Sequence, residues 1–297
     1  MQYDSSREAL YHPELKPVFV QCERMPRFNP NNSRCFPVNA WWLANASHLA
    51  YYEASRVAQE LERVGLRLTE FFSRESTQAY IAVAEEFAIL AFRGTQYDDL
   101  ADLRADIDVR LVSFQDRARV HQGFLAALDE VWPEIEERLQ AIAALGLPTW
   151  YTGHSLGAAL ATLAAARRSP TALVTFASPR VGDEEFVRLL DEVTIQRVVN
   201  CCDMIVALPT RSMGYQDAGE LHFITSGGQL LVKPPAWHLL WYKVVGICRY
   251  LMTVPWFRPS VVSARSFADH SISNYTTALA QAVARLTRRP DDGPDRQ

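Results

Sequence analysis

The 297-residue chain has little of what would mark it as secreted or as nucleic-acid binding. Its opening, Met1-Gln2-Tyr3-Asp4-Ser5-Ser6-Arg7-Glu8, has no apolar h-region, so no secretory signal is read there. Cysteine is scarce: five residues, an odd number, with Cys201 and Cys202 adjacent. That excludes a disulfide framework as the expectation and favours a reducing compartment, the cytoplasm. Charge of one sign is missing too, since a net −4 gives no basic surface for nucleic acid. No Pro/Gly/Ser linker and no internal repeat divides the chain, so a single domain is expected over 41–287. In front of it lies a surface segment, 1–40, rich in proline and asparagine, and behind it a polar tail, 288–297, too poor in apolar residues to order. What is present is core material: 48% hydrophobic residues, enough for one large α/β domain.

The apolar pattern gives the order of elements. Residues 40–64 read helical. Tyr80–Val83 and Ala88–Arg93 read as a hairpin across Glu85-Glu86. Phe124, Leu128, Val131, Ile135, Leu139 and Ile142 recur at helical spacing over 124–145. Short buried strands are expected at 148–152, 172–177 and 194–199, each of the last two after a helical stretch, as crossovers in a parallel sheet require. Residues 221–232, with Gly227-Gly228 in the middle, read as a second hairpin, and 271–287 as a last helix. The predicted class is α/β, a mostly parallel central sheet with helices on both faces.

Chemistry concentrates at Gly153-His154-Ser155-Leu156-Gly157, which stands between a strand and an alanine-rich helix. That is the G-x-S-x-G elbow: a turn so tight that only small residues can flank the serine, which is thrust out at a helix N-terminus. A serine hydroxyl needs a base, and the base an orienting carboxylate. Asp203 follows the strand ending at Asn200 and is the candidate acid, against Asp183, Asp191 and Asp217. His270, just before the last helix, is the candidate base, against His222 and His238. His154 is expected to pack beneath the turn, because neighbours at a sharp turn diverge, and His121 is read as structural. The backbone N–H of Leu156 is one expected oxyanion donor. The loop Arg93-Gly94-Thr95 offers the other through Thr95, with Arg93 bracing it by an ion pair.

At this point the residues resemble a family. Phe92-Arg93-Gly94-Thr95, His121-Gln122-Gly123-Phe124, the elbow with Ala158-Ala159, Phe176-Ala177-Ser178-Pro179-Arg180-Val181-Gly182, Asn200-Cys201-Cys202-Asp203 with Leu208-Pro209, and Asp269-His270-Ser271 arrive in the order of the class 3 lipases, fungal triacylglycerol lipase-like α/β-hydrolases. The resemblance runs from about Trp41 to Leu279. It implies an α/β-hydrolase fold, Ser155 as nucleophile, Asp203 as acid, His270 as base, and Thr95 and Leu156 at the oxyanion hole. It also implies hydrolysis of acylglycerol or phospholipid esters with no metal or organic cofactor. The rivals are a lipid- or membrane-binding module with little turnover, and a thioesterase or peptidase using the same triad. Two features depart from the family. The oxyanion loop runs into 96–108, where the family's lid tryptophan is absent and Asp98, Asp99, Asp102, Asp106 and Asp108 crowd together. The family's fungal members are secreted, whereas no signal is read here.

One long apolar stretch, 237–257, remains. Lys243, Arg249 and Pro255 argue against a membrane span. Wound as a helix, it gathers Trp237, Leu240, Trp241, Val244, Val245, Cys248 and Met252 on one face. Three readings stand: a helix that roofs the pocket or packs on the core, an interfacial helix giving peripheral membrane contact, and a true span, against which Lys243, Arg249 and Pro255 count.

Overall fold

The structure is a computed structural model that describes residues 4, 9, 12–34, 36–75, 77–95, 109–115, 117–253, 266 and 268–287. The lid segment 96–108, the end of the stretch 237–257 from 254 onward, and the tail 288–297 lie outside the described residues.

An eight-stranded sheet organises the chain. Its strands are β1 (Arg67–Ser73), β2 (Gln78–Val83), β3 (Ala88–Phe92), β6 (Thr149–His154), β7 (Ala172–Phe176), β8 (Ile195–Asn200), β9 (Glu220–Ile224) and β10 (Leu230–Val232). They lie in the order β1-β2-β3-β6-β7-β8-β9-β10. From β3 to β9 every pairing is parallel, while β1-β2, β2-β3 and β9-β10 are antiparallel. Both expected hairpins form, the second turning through Gly228 at φ +75. The short strands β4 (Leu111–Ser113) and β5 (Arg119–His121) make a separate ribbon. The β1 strand has no counterpart in the sequence reading. It lies at the edge and is mostly half-buried, so its apolar alternation is weak.

Helices cover both faces. On one, α1 (Val38–Leu49) and the last helix, α8 (Ile272–Thr287), pack over Tyr80, Ala91, Trp150, Val174 and Phe176. Val18 and Phe19 of the N-terminal segment join that core. On the other, α3 (Gln122–Asp129), α4 (Trp132–Ala144) and α5 (Leu156–Arg167) pack over Leu90, Phe92, Tyr151 and Leu173. Smaller helices are α2 (Ala54–Arg63) and α6 (Glu184–Arg188), and α7 (Ala236–Thr253) lies between β10 and α8.

Two helices read as continuous are broken. The stretch 40–64 divides into α1 and α2, because Glu53 is extended (φ −70, ψ 153) and Tyr51 turns inward to His154. The stripe 124–145 divides into α3 and α4, because Pro133 falls in the first turn of α4, where its missing N–H costs nothing.

Candidate active site

Three loops at the carboxyl ends of β6, β8 and the start of α8 build the site. Between β6 and α5, Ser155 adopts φ 57 and ψ −125, a conformation that L-residues rarely take. The turn closes only because its flanks are glycine. A Cβ on Gly153 would stand 2.2 Å from Gly157 O, and one on Gly157 2.4 Å from Phe92 O. Ser155 thus sits at the N-terminus of α5, where free amides face it.

The other two loops deliver an imidazole and a carboxylate. His270 Nε2 lies 3.0 Å from Ser155 Oγ. His270 Nδ1 lies 3.1 and 3.0 Å from the two oxygens of Asp203. The carboxylate also accepts from the Ile205 amide at 3.0 Å and from the Tyr275 hydroxyl at 2.9 Å. Ser155, Asp203 and His270 are all buried. An acceptor-only carboxylate on Nδ1 fixes the tautomer: Nδ1 carries the proton, and Nε2 is free to accept one from Ser155.

His154 lies beneath the turn, as expected. Its Nε2 is 2.6 Å from the carbonyl oxygen of His270, so Nε2 must donate. Nδ1 therefore accepts from the Tyr51 hydroxyl at 2.7 Å. The Tyr51 oxygen in turn takes the Gly94 amide. Burial, with His270 nearby, holds the His154 imidazole neutral, well below its ordinary range, and burial pushes the Tyr51 phenol up. One hydrogen-bonded line thus ties the 93–95 loop, the elbow and the base loop together. Gly94 is pressed against this line; a Cβ there would meet Tyr51 Oη at 2.3 Å and Ser155 Cβ at 3.2 Å. The Thr95 hydroxyl is buried and makes no hydrogen bond among the described residues. The brace expected from Arg93 is a hydrogen bond to Gln78 Oε1 at 2.7 Å. Among the described residues no carboxylate pairs with Arg93, and the acids of 96–108 lie outside them.

A family profile described as Lipase (class 3) matches residues 89–213. Secreted mono- and diacylglycerol lipase A of Penicillium cyclopium is 31% identical over 225 residues, which are 65% of this chain and 72% of that one. The chain belongs to the class 3 lipase family. Phospholipase A1-II 1 of Oryza sativa subsp. indica is 29% identical over 190 residues, 52% of this chain and 47% of its own. The chain therefore spans about half the length of that plant relative. The Rhizomucor miehei lipase, solved as its propeptide complex, superposes with a TM-score of 0.57 at 25% identity, covering 65% of this chain and 69% of that one. The α/β-hydrolase fold is thus established.

Within this lipase-family site the competing residues have other work. Asp183 caps α6 by accepting from the Phe186 amide at 3.0 Å and pairs with Arg119. Asp217 is held by Arg180, Arg197 and Arg211, at 3.1, 3.6 and 2.7 Å. Arg180 also donates to Ala207 O and, at 2.9 Å, to Pro209 O, which straps down the loop after Asp203. His222 lies within β9, 3.2 Å from Glu220. The His238 ring lies tilted against Trp237 in α7, at an interplanar angle of 47°. His121 caps α3, its Nδ1 accepting from the Gly123 and Phe124 amides.

Four supporting residues were not read from the sequence. Tyr275 and Tyr51 are described above. Asn200 donates to Asp269 O at 3.2 Å, and Asp269 accepts the Cys202 amide at 2.7 Å, so the acid turn and the base loop are fastened side by side. The motif residues flanking Asp203 and His270 were the available signal, but a motif gives no direction for a bond across the fold.

Proposed function

We propose that the protein is a serine hydrolase of lipid carboxylic esters, acylglycerols or phospholipids. The observation that carries this is the pair of contacts on one imidazole: Ser155 Oγ on Nε2 and Asp203 on Nδ1. His270 takes the Ser155 proton as Oγ bonds to the ester carbonyl carbon. The Leu156 amide, with the Thr95 amide or hydroxyl, receives the developing oxyanion. His270 then gives its proton to the departing alcohol oxygen as the ester bond breaks. A water, deprotonated by the same imidazole, releases the fatty acid from Ser155, and Asp203 keeps the ring aligned throughout. Every step uses side chains and amides of this chain. The lipid substrate class is drawn from the acylglycerol lipase and phospholipase relatives. Such substrates sit in aggregates, so peripheral contact through 237–257 belongs to this reading. The sparse, odd-numbered cysteine content of the sequence is the ground for a cytoplasmic setting.

The test is hydrolysis of p-nitrophenyl butyrate, a phospholipid and a triglyceride beside labelling by a fluorophosphonate, which phosphonylates an activated serine with loss of fluoride. Ser155→Ala should lower turnover by about 10⁴-fold or more and abolish labelling. A parent chain that neither labels nor turns over would make it a lipid-binding module instead. Preference for thioesters or peptides over all oxygen esters would move it to the thioesterase or peptidase class.

A further inference from the structure

The α7 helix is seated with its more apolar face outward. Leu239, Tyr242 and Ile247 pack on a small cluster of Val199, Cys201, Cys202, Val206 and Phe223. Gly246 makes the closest approach: a Cβ there would stand 2.8 Å from Cys202 Sγ and 3.1 Å from Cys201 Sγ. The Cys201 thiol donates to Tyr242 O at 3.1 Å. Cys201 and Cys202 form the turn between the end of β8 and Asp203. The helix therefore lies along the carboxyl edge of the parallel strands, the same edge that presents Ser155.

The opposite face meets solvent. Trp237, Leu240, Trp241 and Val244 are 67%, 65%, 61% and 48% exposed. Cys248 is exposed as well. Their spacing puts all five on one stripe. A soluble helix normally buries such a stripe, and here the side that meets the protein is instead the one carrying Leu239, Tyr242, Gly246 and Ile247. The helix carries Lys243 and Arg249 and no acidic residue between 236 and 253. No helix among the described residues is long and apolar enough to cross a membrane.

We propose that the Trp237, Leu240, Trp241 and Val244 face of α7 is the surface by which this protein docks on a phospholipid bilayer containing anionic headgroups. The inference rests on the ester-hydrolase reading only for its purpose; the binding itself needs no turnover. Tryptophans suit the boundary, since the ring is apolar and the indole N–H reaches polar headgroups. Cations without acids complement an anionic leaflet. Docking there turns the carboxyl edge of the sheet, and with it the elbow, toward the lipid. It also sets the membrane against the helix whose inner side supports the turn carrying Asp203.

The experiment is co-sedimentation of the full chain, in the Ser155→Ala form so that the vesicles stay intact, with phosphatidylcholine vesicles with and without phosphatidylglycerol. The chain should bind both and bind the phosphatidylglycerol vesicles more tightly. Trp237→Ser with Trp241→Ser should weaken binding about a hundredfold on both. Lys243→Gln with Arg249→Gln should weaken it about tenfold, and only when phosphatidylglycerol is present. Leu240→Glu gives an independent probe of the same face and should also release the protein. With Ser155 restored, every variant should hydrolyse p-nitrophenyl butyrate at the parent rate, which reports a folded site. A parent chain that stays in the supernatant, or tryptophan and Leu240 variants that sediment as the parent does, would overturn the proposal. So would a parent that is dimeric and a tryptophan variant that is monomeric without any change in vesicle binding, which would assign the face to a second copy of the chain. Failure on the soluble ester by the parent would strike the hydrolase reading and leave the docking result standing.

Discussion

The hydroxyl of Tyr275 lies 2.9 Å from Oδ2 of Asp203 and accepts the amide of Asn200 at 2.9 Å. The phenol is fully buried, and burial together with the Asp203 charge pushes its acidity far out of range, so it is a permanent donor to the carboxylate. Tyr275→Phe should therefore lower kcat on p-nitrophenyl butyrate about tenfold with KM little changed. A hydrogen bond to a charged group contributes about 1.5 to 3 kcal/mol, and the same loss should appear in urea unfolding. Unchanged kcat with lowered stability would make Tyr275 a packing residue alone.

Tyr51 holds the Gly94 loop to the elbow through His154. Tyr51→Phe keeps the ring and removes the link. The expected outcome is a loss in kcat of about tenfold, with Ser155 still labelled by a fluorophosphonate but more slowly. A labelling rate equal to the parent would show that the loop needs no such tether.

Thr95 carries a buried hydroxyl with no partner among the described residues, the state expected of a donor waiting for an oxyanion. Thr95→Val should reduce kcat by about 10² and leave KM nearly as it was. Thr95→Ser should restore most of the rate. A change confined to KM would mark the residue as a contact for bound substrate.

Asp203 is a buried carboxylate and Asp217 a half-buried one, both with strong partners, and they should separate cleanly. Asp203→Asn removes the acceptor that fixes the His270 tautomer and should cost about 10⁴ in kcat. Burial alone would raise the Asp217 carboxyl, yet Arg197, Arg211 and Arg180 outweigh it and hold the acid below its usual range. Asp217→Asn leaves those cations without a counter-charge, so stability should fall by about 3 kcal/mol while kcat per folded molecule persists. Comparable rates for the two variants would break the assignment of Asp203.

The pH dependence of stability should carry the signature of His48. Burial pushes this imidazole down from 6.5 to about 4, although its hydrogen bond to Pro13 O opposes the shift. Below about pH 6.5 the unfolded chain takes up a proton that the folded one refuses until about pH 4. Stability should therefore decline by about 3 kcal/mol as pH falls through that window and then level from this source. The buried neutral His154 adds in the same direction. Urea midpoints measured across the window should show the decline, and His48→Gln, which keeps a donor for Pro13, should flatten it. Parallel curves for the two chains would exclude His48.

What could be read from the sequence follows from the range of each interaction. The elbow was legible because its cause is local: two glycines must flank one serine within five residues, and both meet backbone at distances no Cβ tolerates. Asp203 and His270 were legible from strand ends and chain order, and the structure brings both to Ser155. Tyr51 and Tyr275 were not. Their partners lie 103 and 72 residues away, and a buried tyrosine in a helical stretch looks like any other apolar side chain. The breaks at Glu53 and Val131 were hidden for the opposite reason, since apolar periodicity runs through them almost without interruption. The α7 face was legible as a stripe, but which side of it met the protein was decided by Gly246 and two cysteines far behind it in sequence.

The line from His154 to His270 also bears on when activity begins. The serine and its base are 115 residues apart, and the carbonyl that His154 holds belongs to the base itself. A ribosome that has released the elbow and its flanking strands has made a serine with no base, no Asp269 to fasten the acid turn, and no Tyr275. Chains emerge at roughly 5–20 residues per second, so that inert interval lasts several seconds or more. Ser155 meets its base and the Tyr275 support of Asp203 only when the helix α8 docks against α1.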